Sequence, residues 1–427
     1  MNSDRLWTVA RGRWPKAKVL AAIGAVGVVG LASACSTADP SGVPTQQLAN
    51  DSAQGADGSS SSSDTASTSD SASSVDTAAP VPRQSDGTLV GTVLCADPAP
   101  APLAASGLPL IQTNPGAPVV LFVDYDGGTH YSSSKGKTLY SGYNRNGSPS
   151  TFDAEEQADI IASMQHMAHY YAMFDVNVTS DESVRQAAQA WGWIVVTEDE
   201  SGGSGSLSLK AIGQEPYARS YCGASTVRIE NGDKSRRVAH ELGHNFMLEH
   251  SGVWEGSVFY KWEDWPPWDK AYGPIMGGGG YGKRNGWAKG HNEADPKSQQ
   301  DEMEMIRQRI VDVSDSATGW RTDDFAAGQA AALCNGGPGK AYRRGVLGSP
   351  ADTDEFALAW PGGAIAIDAR AIDTSAALPI AEVLQGDSVV GSGGAAWELP
   401  AGNYVLRIRS SGEYGAIGSY EVKVSRP

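Results

Sequence analysis

The stretch His240-Glu241-Leu242-Gly243-His244-Asn245-Phe246-Met247-Leu248-Glu249-His250 restricts the fold of this 427-residue chain more than any other. Residues four apart lie one above the other on an α-helix, so a helix here stacks the imidazoles of His240 and His244 on one face. Glu241 then lies about 100° around the axis, beside the pair but out of line with it. Two imidazoles and a neighbouring carboxylate at that spacing suit a zinc ion and an acid–base group acting on water near it. His250 fits the same ion only under a further condition. Ten residues of unbroken helix would carry it ~15 Å along the axis, against a zinc–nitrogen bond of about 2 Å. The helix must therefore stop soon after His244, and the chain must turn back. A non-glycine residue forced into a left-handed turn there costs about 1–3 kcal/mol unless its surroundings compensate; Asn245 tolerates such a conformation better than most. The remaining histidines, among them His130, His166, His169 and His291, sit in no comparable pattern and read as solvated or packing residues.

The N-terminus reads as an address rather than a fold. Arg5, Arg11, Arg13, Lys16 and Lys18 precede an apolar run, Val19 to Ala34, that ends Leu31-Ala32-Ser33-Ala34-Cys35. This is a signal-peptide pattern over residues 1–35, and small residues before a cysteine resemble a bacterial lipobox, which makes Cys35 the expected site of lipidation. Ordinary cleavage near Ala34, releasing a secreted protein, is the alternative. Residues 36–88 are mostly Ser, Thr, Ala, Asp and Gly, with an unbroken serine run at 59–63, and they read as a disordered linker. With Cys35 acylated, three cysteines remain, Cys95, Cys222 and Cys334. They allow one disulfide and one free thiol, and spacing does not choose the pair.

Residues 89–117 form a short lead-in to the folded part. Val119 to Val123 is a continuous apolar, β-branched run, as expected of a buried strand. A helix follows, entered at Ser150 or Thr151 with Asp153, Glu155 and Glu156 in its first turn, and Phe152, Ile160, Ile161, Met164, Ala168 and Tyr171 give it one apolar face. Further strands are expected at 174–179, 193–197 and 225–229. Asn231-Gly232 marks a turn before the histidine helix, with Asp233 or Ser235 as its cap. Strand, helix and strands again imply an α/β (α+β) domain with a mixed, twisted sheet over residues 118–335. After Gly336-Gly337-Pro338-Gly339 the pattern changes. Residues 341–427 alternate apolar and polar positions between recurrent turns, which predicts a small all-β sandwich.

The elongated histidine motif, followed by Tyr272-Gly273-Pro274-Ile275-Met276-Gly277, resembles the zinc helix and Met-turn of metzincin zinc metallopeptidases. More narrowly, the chain is similar to bacterial reprolysin-like or gametolysin-like exported proteases. The stretches that carry this are Asn114 to Ala117 leading into Val123-Asp124-Tyr125-Asp126-Gly127, Phe174 to Thr179, Trp287-Ala288-Lys289-Gly290 and Gln300-Asp301-Glu302. The resemblance implies one catalytic zinc on His240, His244 and His250, Glu241 as general base, and Met276 as an apolar floor that does not ligate. It also implies a peptide lying along an edge strand, with a pocket walled partly by the segment between His250 and Met276, here rich in tryptophan. Metzincins place a glycine three residues after the second histidine; this chain has Met247 there. Cys95 lies upstream but matches no cysteine switch. Residues 341–427 resemble the pre-peptidase C-terminal domain of exported bacterial proteases, through Asp352-Thr353-Asp354-Glu355-Phe356 and Leu399 to Tyr404. Asp352 and Asp354 could hold calcium there, although acidic turn residues usually hold none.

The reading that follows is a zinc-dependent endopeptidase acting on proteins or peptides outside a bacterial cell, as a monomer, touching the membrane only through its lipid anchor. The alternative is a surface binding or adhesion protein with a structural or vestigial zinc site. Nucleic acid is excluded as a partner by a formal net charge of −16, since binding phosphates calls for a basic surface.

Overall fold

The structure, a computed structural model, describes residues 89, 92–96, 98–132, 136–148, 150–197, 203–204, 210–211, 219–223, 232–261, 271–277, 284–325 and 328–427. These all belong to one compact unit. The expected targeting segment with Cys35, the linker 36–88, the strand expected at 225–229 and the tryptophan-rich stretch 262–268 lie outside the described residues. Among those described, no helix is long and apolar enough to cross a membrane.

Val119–Asp124 forms β1, with every residue buried. Val119, Leu121 and Val123 join the main core, whereas Val120 and Phe122 pack with Tyr140, Trp191 and Trp193 on the opposite face. A strand covered on both faces needs no polar alternation, which accounts for its apolar run. A hairpin, β2 (Gly127–Ser132) and β3 (Gly136–Ser141), leads to α1 (Ala154–Tyr170). The expected entry is at Ser150 or Thr151; the helix begins instead behind Asp153. The Asp153 carboxylate accepts from the backbone N–H of Glu155 (2.9 Å) and Glu156 (3.0 Å), and the Glu156 carboxylate accepts the Asp153 N–H at 3.0 Å. This reciprocal box satisfies the first-turn donors, while Thr151 bonds Ser148 at 2.7 Å in the preceding turn.

After α1 come β4 (Val176–Thr179), α2 (Glu182–Ala187), β5 (Ala190–Thr197), the two-residue strands β6 (Gly203–Ser204) and β7 (Lys210–Ala211), and β8 (Arg219–Gly223). The strands β4, β1, β5 and β8 run parallel in that order, and β6 and β7 add antiparallel edges. The histidine helix, α3 (Gly232–Asn245), packs beside α1 and over β5 and β8. Asp233 and Ser235, expected as its caps, both lie inside it.

A second, antiparallel sheet follows α3. It is ordered β10 (Val258–Lys261), β9 (Ser251–Glu255), β13 (Lys289–Asn292), β14 (Gln299–Asp301). Between its strands, β11 (Tyr272–Pro274) runs into a 3-10 turn at Ile275–Gly277 and pairs in parallel with β12 (Arg284–Gly286). Asp301 caps α4 (Glu302–Val313). The mixed α/β character expected for this part is present.

Eight strands form the rest: β15 (Ala331–Ala332), β16 (Cys334–Asn335), β17 (Lys340–Leu347), β18 (Thr353–Ala371), β19 (Pro379–Gln385), β20 (Ser388–Ser392), β21 (Gly394–Ser410) and β22 (Gly418–Ser425). They make one continuous eight-stranded sheet, here called the β-module, rather than two separately paired ones, because the long strand β18 pairs with both β21 and β22. The sheet begins before the Gly336–Gly339 break, and Cys334 in β16 is bonded to Cys95, with Cα atoms 5.4 Å apart. One cluster of buried apolar side chains runs from Leu121 and Leu242 through Met276 and Trp287 to Ile417 and Tyr420, so the α/β part and the β-module share a core.

Candidate metal centre

The histidine helix is positioned by what it buries. Val238, Ala239, Leu242 and Phe246 enter the core, and the Tyr171 hydroxyl donates to the Ala239 carbonyl at 3.0 Å. Gly243 is glycine for a local reason. A Cβ there would lie 2.6 Å from Met276 Sδ and 3.2 Å from the Trp287 ring, and both residues are buried. Met276 therefore passes directly under the turn of helix that separates His240 from His244.

The helix stops where the third histidine requires it to. Asn245 is its last residue, the N–H of Phe246 and of Met247 bond back to the carbonyls of Gly243 and His244 at 2.9 and 3.0 Å, and Met247 has φ of 69°. This is the left-handed turn, made without glycine. The Met247 side chain is 45% exposed, so it meets little around it.

His250 is then held from its far side by the antiparallel sheet. The Gln300 side chain pairs with the backbone of Glu249, accepting its N–H at 2.9 Å and donating to its carbonyl at 2.6 Å. Ser251 donates to the buried Glu302 carboxylate at 2.5 Å, and the same carboxylate accepts the Ala288 N–H at 2.7 Å. Burial pushes Glu302 up to about 8. The Glu293 N–H donates to the His250 carbonyl at 3.0 Å.

His240, His244 and His250 thus come together, with one ring nitrogen of each lying within 4.8 Å of the others. Each Nδ1 is engaged elsewhere: His240 with the Ile275 carbonyl at 2.8 Å, His244 with the Leu248 carbonyl at 2.6 Å, His250 with Glu293 Oε2 at 2.5 Å. A donor N–H at Nδ1 leaves the Nε2 lone pair for a metal, and such outer partners fix tautomer and ring direction. Burial holds His240 far below its usual range, lowers His244 to about 4 and lowers His250. All three are neutral near pH 7, the form that ligates. A metal ion fits this donor set. Glu241, next to His240 and 5% exposed, is pushed up to about 8 by burial, against the pull of Arg237 and Lys261. A carboxylate in that range is suited to exchange a proton near neutral pH.

Of the sequence-derived site residues, the structure brings together the three histidines, buries Glu241 next to His240 on the same helix, and sets Met276 against Gly243 between the first two; Cys35 lies outside the described residues. Glu293 carried no signal in the sequence, since it reaches His250 only through the pairing of β9 with β13. Gln300 and Glu302 lay in a stretch picked out by resemblance but without a role. A second group that could hold a cation comprises Asp323, Asp324 and Asp354. Asp352, expected beside Asp354, instead accepts the Gly348 N–H at 2.6 Å. Compared with protein-family models, with curated proteins and with solved structures, the chain matches none.

Proposed function

We propose that this chain is a zinc-dependent endopeptidase of the metzincin kind, exported and tethered through Cys35, with the β-module as a pre-peptidase C-terminal-like domain. The observation that carries the reading is the convergence of three neutral, outward-anchored imidazoles on one point, with the buried Glu241 next to His240 on the same helix. Three imidazole nitrogens suit zinc and leave a coordination position open, as catalytic sites do and structural ones do not. Zinc held there supplies the Lewis acidity that polarises a peptide carbonyl and makes water a nucleophile near neutral pH. Glu241 takes the proton of the attacking water on its carboxylate and passes it to the leaving amine nitrogen. Ile275, Leu248 and Glu293 keep the imidazoles aimed while this happens. Met276 and Trp287 keep water from the underside of the site. Met247 stands where metzincins have glycine, and its left-handed form supports the three-histidine reading.

Glu241→Gln tests the assignment. Purified wild-type chain is expected to carry one zinc and to cleave unfolded protein or peptide pools, with cleavage lost to a chelator. The variant is expected to keep its zinc and lose cleavage by a factor of at least about 100. Undiminished cleavage in the variant rules out Glu241 as the base.

A further inference from the structure

The β-module reaches three of the segments that surround the histidines, and one of its contacts leads into the zinc-motif helix itself. Asp373, in the loop after β18, places Oδ2 2.6 Å from His166 Nε2 on α1. The other ring nitrogen, Nδ1, lies 3.1 Å from the Ser235 hydroxyl on α3, five residues ahead of His240. Ser235 is fully buried and His166 nearly so, whereas Asp373 is half exposed. The loop that presents Asp373 is shaped for this contact. Asp373 has φ of 51°, one of two non-glycine residues in the left-handed region among those described. Such a conformation persists where its surroundings over-determine it. Here the next residues do so: the Thr374 hydroxyl donates to Tyr170 at 3.2 Å, the Thr374 carbonyl accepts the Asn285 N–H at 2.8 Å, and the Ala376 carbonyl accepts from Arg284 at 3.1 Å. Arg284 and Asn285 belong to β12, which pairs with β11 and so braces the strand running into Ile275. A second loop repeats the grip behind His250, where the Tyr414 hydroxyl donates to Asp301 at 2.5 Å, beside Glu302.

We propose that the β-module is a positioning element of the metal centre, acting through the chain Asp373–His166–Ser235 onto the zinc-motif helix. The inference rests on the zinc reading above and adds to it that the module read from the sequence as a separate small sandwich sets the geometry of the site. Asp373 touches neither metal nor substrate. It fixes the His166 ring, which fixes the first turns of α3, whose later turns carry His240 and His244 at a defined height over Met276.

The test is a double-mutant cycle on zinc affinity in the full chain, using Asp373→Ala and Ser235→Ala and competition with a fluorescent chelator. Each single variant is expected to weaken zinc about threefold to tenfold, and the double variant to be no weaker than the weaker single one, because both cut the same chain of contacts. Thermal unfolding without metal is measured alongside. A purely structural role would lower that temperature and leave zinc affinity as in wild type. Asp373→Asn keeps the shape of the side chain, and is expected to give a smaller loss of affinity should the alanine variant fold poorly. A wild-type chain that binds zinc while Asp373→Ala and Asp373→Asn bind it equally tightly overturns this inference alone. Additive losses in the double variant also overturn it. A wild-type chain that takes up no zinc overturns the zinc reading, and this inference with it.

Discussion

At position 247 the usual ranking of alanine over glycine is expected to reverse. In a right-handed helix alanine is the more stabilising by about 1 kcal/mol. At φ of 69° the same Cβ faces the following carbonyl, which costs about 1–2 kcal/mol. Glycine escapes that cost but gives up about 0.4–1 kcal/mol through the greater freedom of its unfolded chain. The balance is about 0.5–1 kcal/mol in favour of Met247→Gly over Met247→Ala. Comparing the two variants with each other cancels the contacts that both lose from the half-exposed methionine. The assay is urea unfolding of each variant with the disulfide intact, together with chelator competition for zinc. The glycine variant is expected to unfold at higher urea and to hold zinc at least as tightly as the alanine variant. An alanine variant more stable than glycine by about 1 kcal/mol would show that residue 247 is right-handed in solution. The account of how His250 reaches the other two histidines would then fail.

Three further outcomes follow from the site and its surroundings. Gly243→Ala drives a Cβ against Met276 and Trp287 and is expected to cost about 1–3 kcal/mol, with weaker zinc binding; wild-type stability and zinc content in that variant would contradict the packing. Glu293→Ala removes the partner of His250 Nδ1 and is expected to weaken zinc about 10–100-fold, read by the same chelator competition. His169 is lowered to about 4, chiefly by desolvation, so it is neutral in the folded chain while the unfolded chain protonates near 6.5. Its contribution is complete above pH 6.5 and is lost as pH falls towards 4, by up to roughly 3 kcal/mol. His169→Gln should therefore lose less stability than wild type between pH 7 and pH 5, and an equal loss refutes the assignment.

Local patterns were legible in the sequence, and tertiary closures were not. β1 and α3 could be read because their signals are periodic within a few residues of each other. The same holds for the alternating strands of the β-module. The Asp153 cap was misplaced because Ser150, Thr151 and Asp153 are all capping residues, and only the turn that ties up Thr151 decides among them. His250 could be named from spacing, but its delivery depends on Gln300, Glu302 and Glu293, which lie some forty to fifty residues on and meet it only once β9, β13 and β14 pair. His166 read as a bland residue because its partners are 69 residues ahead in α3 and more than 200 ahead in the β-module. The boundary near residue 336 marks a real change of pattern, yet the buried side chains on its two sides form one core.

The bond between Cys95 and Cys334 changes how the molecule carries load. A pull on the chain ahead of residue 92 meets that bond almost at once and passes into β16 of the eight-stranded sheet. The bonded cysteines are 239 positions apart in the sequence, and the histidine helix with both of its neighbouring sheets lies between them. Tension applied ahead of Cys95 therefore bypasses the three histidines along the covalent shortcut. With that bond reduced, the backbone hydrogen bonds of Val93 with Leu333 and Asn335 still tie the chain at that point, and once they part the same tension runs through β1 and the packed helices.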